Sequence, residues 1–113
     1  LEKKTKEALE FLNNLVEEGI DLQEFTKTLI FYLRQALMVK INSGLVNPQT
    51  SGLSVQEIER MQKQVETLTE KDIQRMMELF IDAENKLKYA IIIQLPLEMA
   101  VIDITYSPDK IKS

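Results

Sequence analysis

The chain has 113 residues, 44% of them hydrophobic and 28% charged, with a formal net charge of −4 at pH 7. This length fits one domain with a modest core, and the acidic balance argues against a free-standing nucleic-acid binder, because neutralising phosphates needs clustered Lys and Arg. The sequence contains no cysteine, which excludes a disulfide scaffold, a thiolate metal site and a cysteine nucleophile.

The first two predicted helices are joined by a short connection. Apolar residues recur at helical spacing over residues 3–18, and Gly19 supplies a left-handed stop that no Cβ hinders. Asp21 is a good N-cap, and Glu24, three residues later, completes a capping-box pattern. We therefore expect a second helix over residues 22–41, antiparallel to the first.

The second helix carries more apolar residues than one stripe can hold. They are Phe25, Leu29, Ile30, Phe31, Leu33, Ala36, Leu37, Met38 and Val39. Lys27 and Arg34, seven positions apart, mark its most polar line. A helix that is apolar on several sides must be covered, either by the rest of the chain or by a neighbouring subunit.

Two more capping boxes follow a stretch with the composition of a loop. Residues 43–52 have little to bury, and we expect them to be the most mobile part of the chain. Ser54 with Glu57 and Thr69 with Asp72 predict the starts of a third and a fourth helix. Because no Gly or Pro separates these two helices, a single bent helix stays open as an alternative. The apolar stripe of the fourth helix is Ile73, Met76, Phe80, Ala83, Leu87 and Ala90, widened by Met77 and Ile81.

The last predicted helix follows a β-branched run. Pro96 disfavours helix at the residue before it and suits the first turn of a new helix, which we expect over residues 97–104. Met99 and Ile102 form a second apolar face on that helix. The three isoleucines at residues 91–93 cannot all face one small core, so they indicate either an irregular buried crossing or a subunit contact. Residues 105–113 resemble the root of a tail or linker, which leaves a helical domain over residues 1–104.

Residue types that carry chemistry are scarce in this sequence. Histidine is absent, which excludes a Ser-His-Asp triad and a histidine metal site. The three glycines lie outside the pattern of a phosphate-binding loop. No strand alternation is sustained, so the sequence predicts an all-α, non-catalytic domain whose surplus apolar surface serves oligomerisation or partner binding.

Two blocks of the sequence resemble one protein family. EGIDLQEF at residues 18–25 is followed by LIFYLR at 29–34 and LMVK at 37–40. This pattern looks like the third domain of the gamma/tau subunit of bacterial DNA polymerase III, a clamp-loader ATPase. FIDAENKLK at 80–88 with LPLEMA at 95–100 resembles the closing pair of helices of the same domain.

The resemblance implies a compact, collar-like bundle of about five helices. In the family, such domains from gamma/tau, delta and delta-prime subunits pack into a ring called the collar, which holds the ATPase domains together while ATP-driven change loads the sliding clamp onto DNA. It also implies a cytoplasmic domain without direct contact with nucleic acid or membrane. ATP and zinc would bind only in an N-terminal part of a longer parent, an expectation that agrees with a chain starting at Leu1 rather than Met.

The sequence departs from the family pattern in two places. Residues 89–94 are mostly apolar where the family commonly shows polar residues, and the loop at 45–53 has no counterpart that we can match. The candidate subunit-interface residues are the apolar positions that the helical stripes need least: Phe31, Met38, Ile91, Ile92 and Ile93. The alternative function is a general all-α adaptor or protein-interaction domain unrelated to replication.

Overall fold

The computed structural model describes residues 2–106, and within that range it has helices and no β-strand. The helices are α1 (Glu2–Glu17), α2 (Leu22–Ile41), α3 (Pro48–Ser51), α4 (Val55–Gln64), α5 (Glu70–Leu87) and α6 (Leu95–Thr105). The predicted all-α class is confirmed. The five longer helices correspond to the five predicted ones, and α3 is a single additional turn.

The helices divide between two units. Leu29–Glu78 forms the second unit, and the segments that precede and follow it form the first unit. Both α2 and α5 therefore contribute residues to each unit. The buried residues of the first unit are Leu12, Leu22, Thr26, Phe80, Ala83, Leu87, Leu97 and Ala100. Those of the second unit are Leu33, Gln35, Ala36, Leu37, Val39, Val46, Ile58, Met61, Val65 and Ile73.

In the first unit, α1 contacts α6. The hydroxyl oxygens of Thr5 and Thr105 lie 2.7 Å apart across that contact. The buried Thr26 hydroxyl donates to the Leu22 carbonyl at 2.6 Å, so its burial leaves no unpaired donor. Side chains from both ends of the chain thus meet in one core.

The connection between α1 and α2 forms as the sequence predicts. Gly19 has a φ of 75°, and the N–H groups of Gly19 and Ile20 donate to the carbonyls of Val16 and Leu15, both at 3.0 Å. This is the bonding pattern of a Schellman C-cap. The Asp21 carboxylate accepts from the two backbone N–H groups that follow Leu22, at 3.0 and 3.2 Å, which confirms Asp21 as the N-cap.

The stretch predicted as a loop contains regular turns instead. A 3-10 turn spans Ser43–Leu45. Helix α3 begins at Pro48, directly after its N-cap residue Asn47. The Asn47 side chain accepts a hydrogen bond from the Gln49 N–H at 2.8 Å. Val46, between these turns, is buried. The expectation of a plain loop with little to bury was therefore wrong, because Val46 enters the core of the second unit.

Both later capping boxes are confirmed. The Ser54 N–H donates to the Glu57 carboxylate at 2.8 Å, and the Glu57 N–H donates to the Ser54 hydroxyl at 3.1 Å. Thr69 and Asp72 exchange the same pair of bonds at 2.9 and 3.0 Å. Two complete N-caps mean two helices, so α4 and α5 are separate and the single bent helix is excluded.

Lys40 closes the end of α4 within the second unit. Its amino group donates to the carbonyls of Val65 and Glu66, each at 3.1 Å. The Tyr32 hydroxyl donates to the side-chain oxygen of Gln64, the last residue of α4. Carbonyls at a helix end lack intrahelical partners, and Lys40 supplies a donor to two of them just after α4.

Only one side of α5 and α6 is buried. On α5, Ile73, Phe80, Ala83 and Leu87 are buried as predicted, whereas Ile81 is exposed, so its assignment to the apolar stripe was wrong. On α6, Leu97 and Ala100 are buried and Met99 is exposed. Helix α6 begins at Leu95, two residues before the predicted start, so the expectation that Pro96 keeps the residue before it out of the helix was wrong. Pro96 lies in the first turn of α6, where its missing N–H costs no helical hydrogen bond. Gln94, the N-cap, makes no side-chain cap bond.

Replacing Lys40 with Met should lower the free energy of unfolding by about 1–2 kcal/mol, because the two carbonyls at the end of α4 lose a charged donor. Lys27→Met on the same helix is the matched control. Lys27 makes only an exposed ion pair with Glu24 at 3.5 Å, so we expect a change of less than about 0.5 kcal/mol. Urea unfolding followed by circular dichroism measures both, and equal losses would contradict the role given to Lys40.

The Ser54–Glu57 capping box should also make stability depend on pH. The Ser54 backbone N–H, and then its hydroxyl, lower the pKa of Glu57 below its ordinary value of 4.5. A lowered folded-state pKa gives stability that is complete above the unfolded pKa and is lost as the pH falls through the folded pKa.

We therefore expect the wild-type chain to lose more stability than Glu57→Gln when urea unfolding is compared between pH 7 and about pH 3. The Gln side chain can still accept the Ser54 hydrogen bond but does not titrate in this range. Parallel pH profiles for the two chains would show that Glu57 makes no such contribution.

Candidate subunit interface

The three consecutive isoleucines lie on the surface between α5 and α6. The exposed fraction is 101% for Ile91, 52% for Ile92 and 47% for Ile93. The segment is irregular, but it is not the buried crossing that was one of the two sequence interpretations. The other interpretation, a subunit contact, stays a prediction that this exposure favours.

Local hydrogen bonds hold this segment out of helical geometry. The N–H groups of Tyr89 and Ala90 donate back to the carbonyls of Lys86 and Leu87, which tightens the end of α5. The Leu95 N–H then donates to the Ile92 carbonyl at 3.0 Å. These turns direct the side chains of the segment away from the buried stripe of α5, whose last residue is Leu87.

Ile91 and Ile92, but not Ile93, line an apolar depression that we call the α5–α6 hollow. It has a volume of about 600 Å³. Its apolar lining is Tyr89, Ala90, Ile91, Ile92, Leu95 and Pro96. Only Asn85 and Lys86 bring polar groups to it. The hollow is therefore a surface that water solvates poorly and that another apolar surface could cover.

A smaller groove continues from the hollow along α6, and we call it the α6 groove. It shares Leu95 and Pro96 with the hollow and adds the exposed side chain of Met99. Its charged lining residues are Asp82, Lys86 and Asp103. Asp82 and Lys86 form an ion pair at 2.8 Å.

The second unit exposes two large apolar side chains, Phe31 and Leu45, beside a depression whose lining is mainly polar. Phe31, a predicted interface residue, is 54% exposed. It lies on the same helical line as Lys27 and Arg34, the line that the sequence marked as most polar. Phe31, Arg34 and Leu45 line one depression, of about 270 Å³. We call these three residues the Phe31 patch.

Met38 is a weaker candidate than Phe31. It is half-buried, so less of its side chain is available to a partner. Around it Leu37 and Val39 are both buried, together with Ala36. This wide buried arc confirms that α2 is covered on more than one side.

Sequence reasoning did not select Leu45, Leu95 or Met99 for the interface, although all three line the depressions described above. Met99 could have been found, because it stands on the second apolar face of the last predicted helix. Leu45 could not, because its exposure depends on the 3-10 turn that the sequence did not reveal.

Two kinds of feature were searched for in the part of the chain that the structure describes. Among residues 2–106 there is no group of three His, Cys, Asp or Glu side chains that could hold a metal ion. In the same range no helix is both long and apolar enough to cross a bilayer.

Comparison with protein families identifies the domain. The family model for domain III of the DNA polymerase III subunits gamma and tau matches residues 1–113, the whole chain. The chain belongs to this family. Comparison with curated proteins returned no match, and neither did comparison with solved structures.

Membership confirms the resemblance drawn from the EGIDLQEF and LPLEMA blocks. It also locates those blocks in the gamma/tau domain III fold: the first spans the α1–α2 connection, and the second begins α6. Residues 89–92, which belong to the stretch that the sequence interpretation set apart from the family pattern, line the α5–α6 hollow.

Proposed function

We propose that this gamma/tau domain III is a non-catalytic oligomerisation domain of the clamp loader. It packs with other clamp-loader subunits, which are further gamma/tau copies, delta and delta-prime, to form the collar that supports ATP-dependent loading of the sliding clamp. The observation that carries this proposal is the exposed apolar surface around Ile91 and Ile92 in a chain of this family.

The energetics of that surface support an assembly role. Covering a large aliphatic side chain contributes about 1.5–3 kcal/mol relative to leaving it in water. Tyr89 is 86% exposed beside the fully exposed Ile91, and aromatic and large apolar residues are typical of interface centres. A partner that fills the α5–α6 hollow would cover several large apolar side chains, and covering each of them would stabilise the contact.

The same proposal assigns ATP, zinc and DNA to other parts of the parent subunit. This domain is expected to bind no cofactor, to act in the cytoplasm and to make no direct contact with nucleic acid. Its formal charge of −4 disfavours binding to phosphates. Family membership disfavours the alternative of an adaptor unrelated to replication.

Replacing Ile92 with Asp should weaken binding to the other clamp-loader subunits, because a charge would be buried in an apolar contact. The dissociation constant should rise by at least roughly tenfold. Sedimentation velocity of the chain mixed with purified delta and delta-prime subunits measures the change. Circular dichroism should show the same helix content in both chains, since Ile92 lies outside the core.

Val55→Asp is the matched control. Val55 is also β-branched and has a similar exposed fraction, 56% against 52% for Ile92, but it opens α4 in the second unit. We expect its binding to match that of the wild-type chain. If Ile92→Asp assembles as well as Val55→Asp does, the α5–α6 hollow is not the assembly surface.

A further inference from the structure

We infer that the second unit holds a binding site for a small organic carboxylate, in the depression that the Phe31 patch lines. The depression has a volume of about 270 Å³. Its described lining residues all belong to the second unit, whereas the proposed assembly surface around Ile92 belongs to the first unit. A ligand in the depression would therefore occupy a different part of the chain from the α5–α6 hollow.

Arg34 supplies the charge of this site. Among the described lining residues it is the only charged one, so no acidic side chain of the lining competes for it. Its guanidinium makes one long contact, to the Gln35 side-chain oxygen at 3.5 Å, and no ion pair with any described residue. Most of its five donors are therefore available to a ligand, and the planar fork that they form matches the two oxygens of a carboxylate.

Gln35 places a second unpaired donor group beside Arg34. Its side chain is only 6% exposed, and buried polar atoms ordinarily have a hydrogen-bond partner. Since an arginine can only donate, the Gln35 oxygen faces Arg34, and the Gln35 NH₂ group is left without a partner among the described residues. Its nitrogen is not fully sealed from solvent, and Gln35 lines the depression, so a ligand oxygen placed there can accept from it.

The rest of the lining favours a carboxylate with an apolar body. The Ser51 hydroxyl oxygen accepts from the Leu53 N–H at 3.1 Å, which leaves the hydroxyl proton available as a further donor. Phe31 and Leu45 lie beside these donors with more than half of each side chain exposed. Donors without an acidic neighbour favour an anion, and the two apolar side chains favour an anion that carries hydrocarbon over inorganic phosphate.

Titration with hexanoate tests the site in the chain as it stands. Two-dimensional amide NMR spectra should change at residues 34–35 and 45–51, with a dissociation constant in the millimolar range, as expected for so small a ligand. Hexanamide, which has the same hydrocarbon chain without the charge, should bind at least roughly tenfold more weakly. Sodium chloride at the same ionic strength controls for a general salt effect.

Substitution of Arg34 tests which group holds the carboxylate. Arg34→Met should raise the dissociation constant for hexanoate by at least roughly tenfold, because the ligand loses its charged partner. Arg34→Lys keeps the charge but loses the planar fork, so its affinity should lie between those of the wild-type chain and Arg34→Met. Unchanged spectra outside residues 31–53 would show that both variants are folded.

Arg75→Met is the matched control, because it removes the same charge from the same unit. Arg75 is exposed on α5 within the second unit and is not among the described residues that line the depression. We expect Arg75→Met to bind hexanoate as the wild-type chain does.

N-acetylleucine, titrated in parallel, distinguishes two sources of such a carboxylate. It mimics the C-terminus of a peptide chain, whereas hexanoate mimics a free organic acid. Tighter binding of N-acetylleucine would support a chain terminus as the natural occupant, and tighter binding of hexanoate would support a free acid. Either result requires the donors of Arg34 and Gln35 and supports the site.

Three results would overturn the inferred site: equal binding of hexanoate and hexanamide, equal affinity of the wild-type chain and Arg34→Met, or no spectral change at residues 34–51 in tens of millimolar hexanoate. Binding to delta and delta-prime, which tests the proposed function, is measured separately. A chain that binds those subunits through Ile92 but does not bind hexanoate keeps the assembly role and has no carboxylate site.

Discussion

The apolar segment between α5 and α6, with its three isoleucines, is exposed in this fold. Helix α5 ends at Leu87 and α6 begins at Leu95, and the chain between these two helices is irregular. Backbone bonds from Ala90 to Leu87 and from Leu95 to Ile92 satisfy those turns locally. The isoleucine side chains are left at the surface as a consequence. The proposed assembly role requires this surface.

The two units show how one small chain combines a core with exposed apolar patches. In the first unit, Leu97 is fully buried while Met99, two residues later, faces solvent. In the second unit, Leu33 is buried while Phe31 is exposed on the charged side of α2. Each unit thus buries some apolar residues and leaves others exposed, and the proposed assembly would cover the exposed ones.

Features that depend on local chemistry could be predicted from the sequence. Gly19 and Asp21 end and start helices through their own backbone and side-chain bonds, and the Ser54 and Thr69 capping boxes act within one turn. Features that depend on tertiary packing could not be predicted in this way. The exposure of Ile81 and the burial of Val46 follow from which neighbours each helix meets, and spacing along one helix carries no such information. For the site, the sequence identified the isoleucine run as surplus to the helical stripes, whereas its exposure and the hollow beside it required the fold.

Hydrogen exchange is the most direct test of the claim that the surface between α5 and α6 is covered in the assembly. Amide exchange would be followed by mass spectrometry for the chain alone and for the chain mixed with the other clamp-loader subunits. We expect slower exchange in residues 88–95 on assembly, with α4 unchanged. Equal exchange in residues 88–95 in both samples, with protection appearing elsewhere, would contradict it.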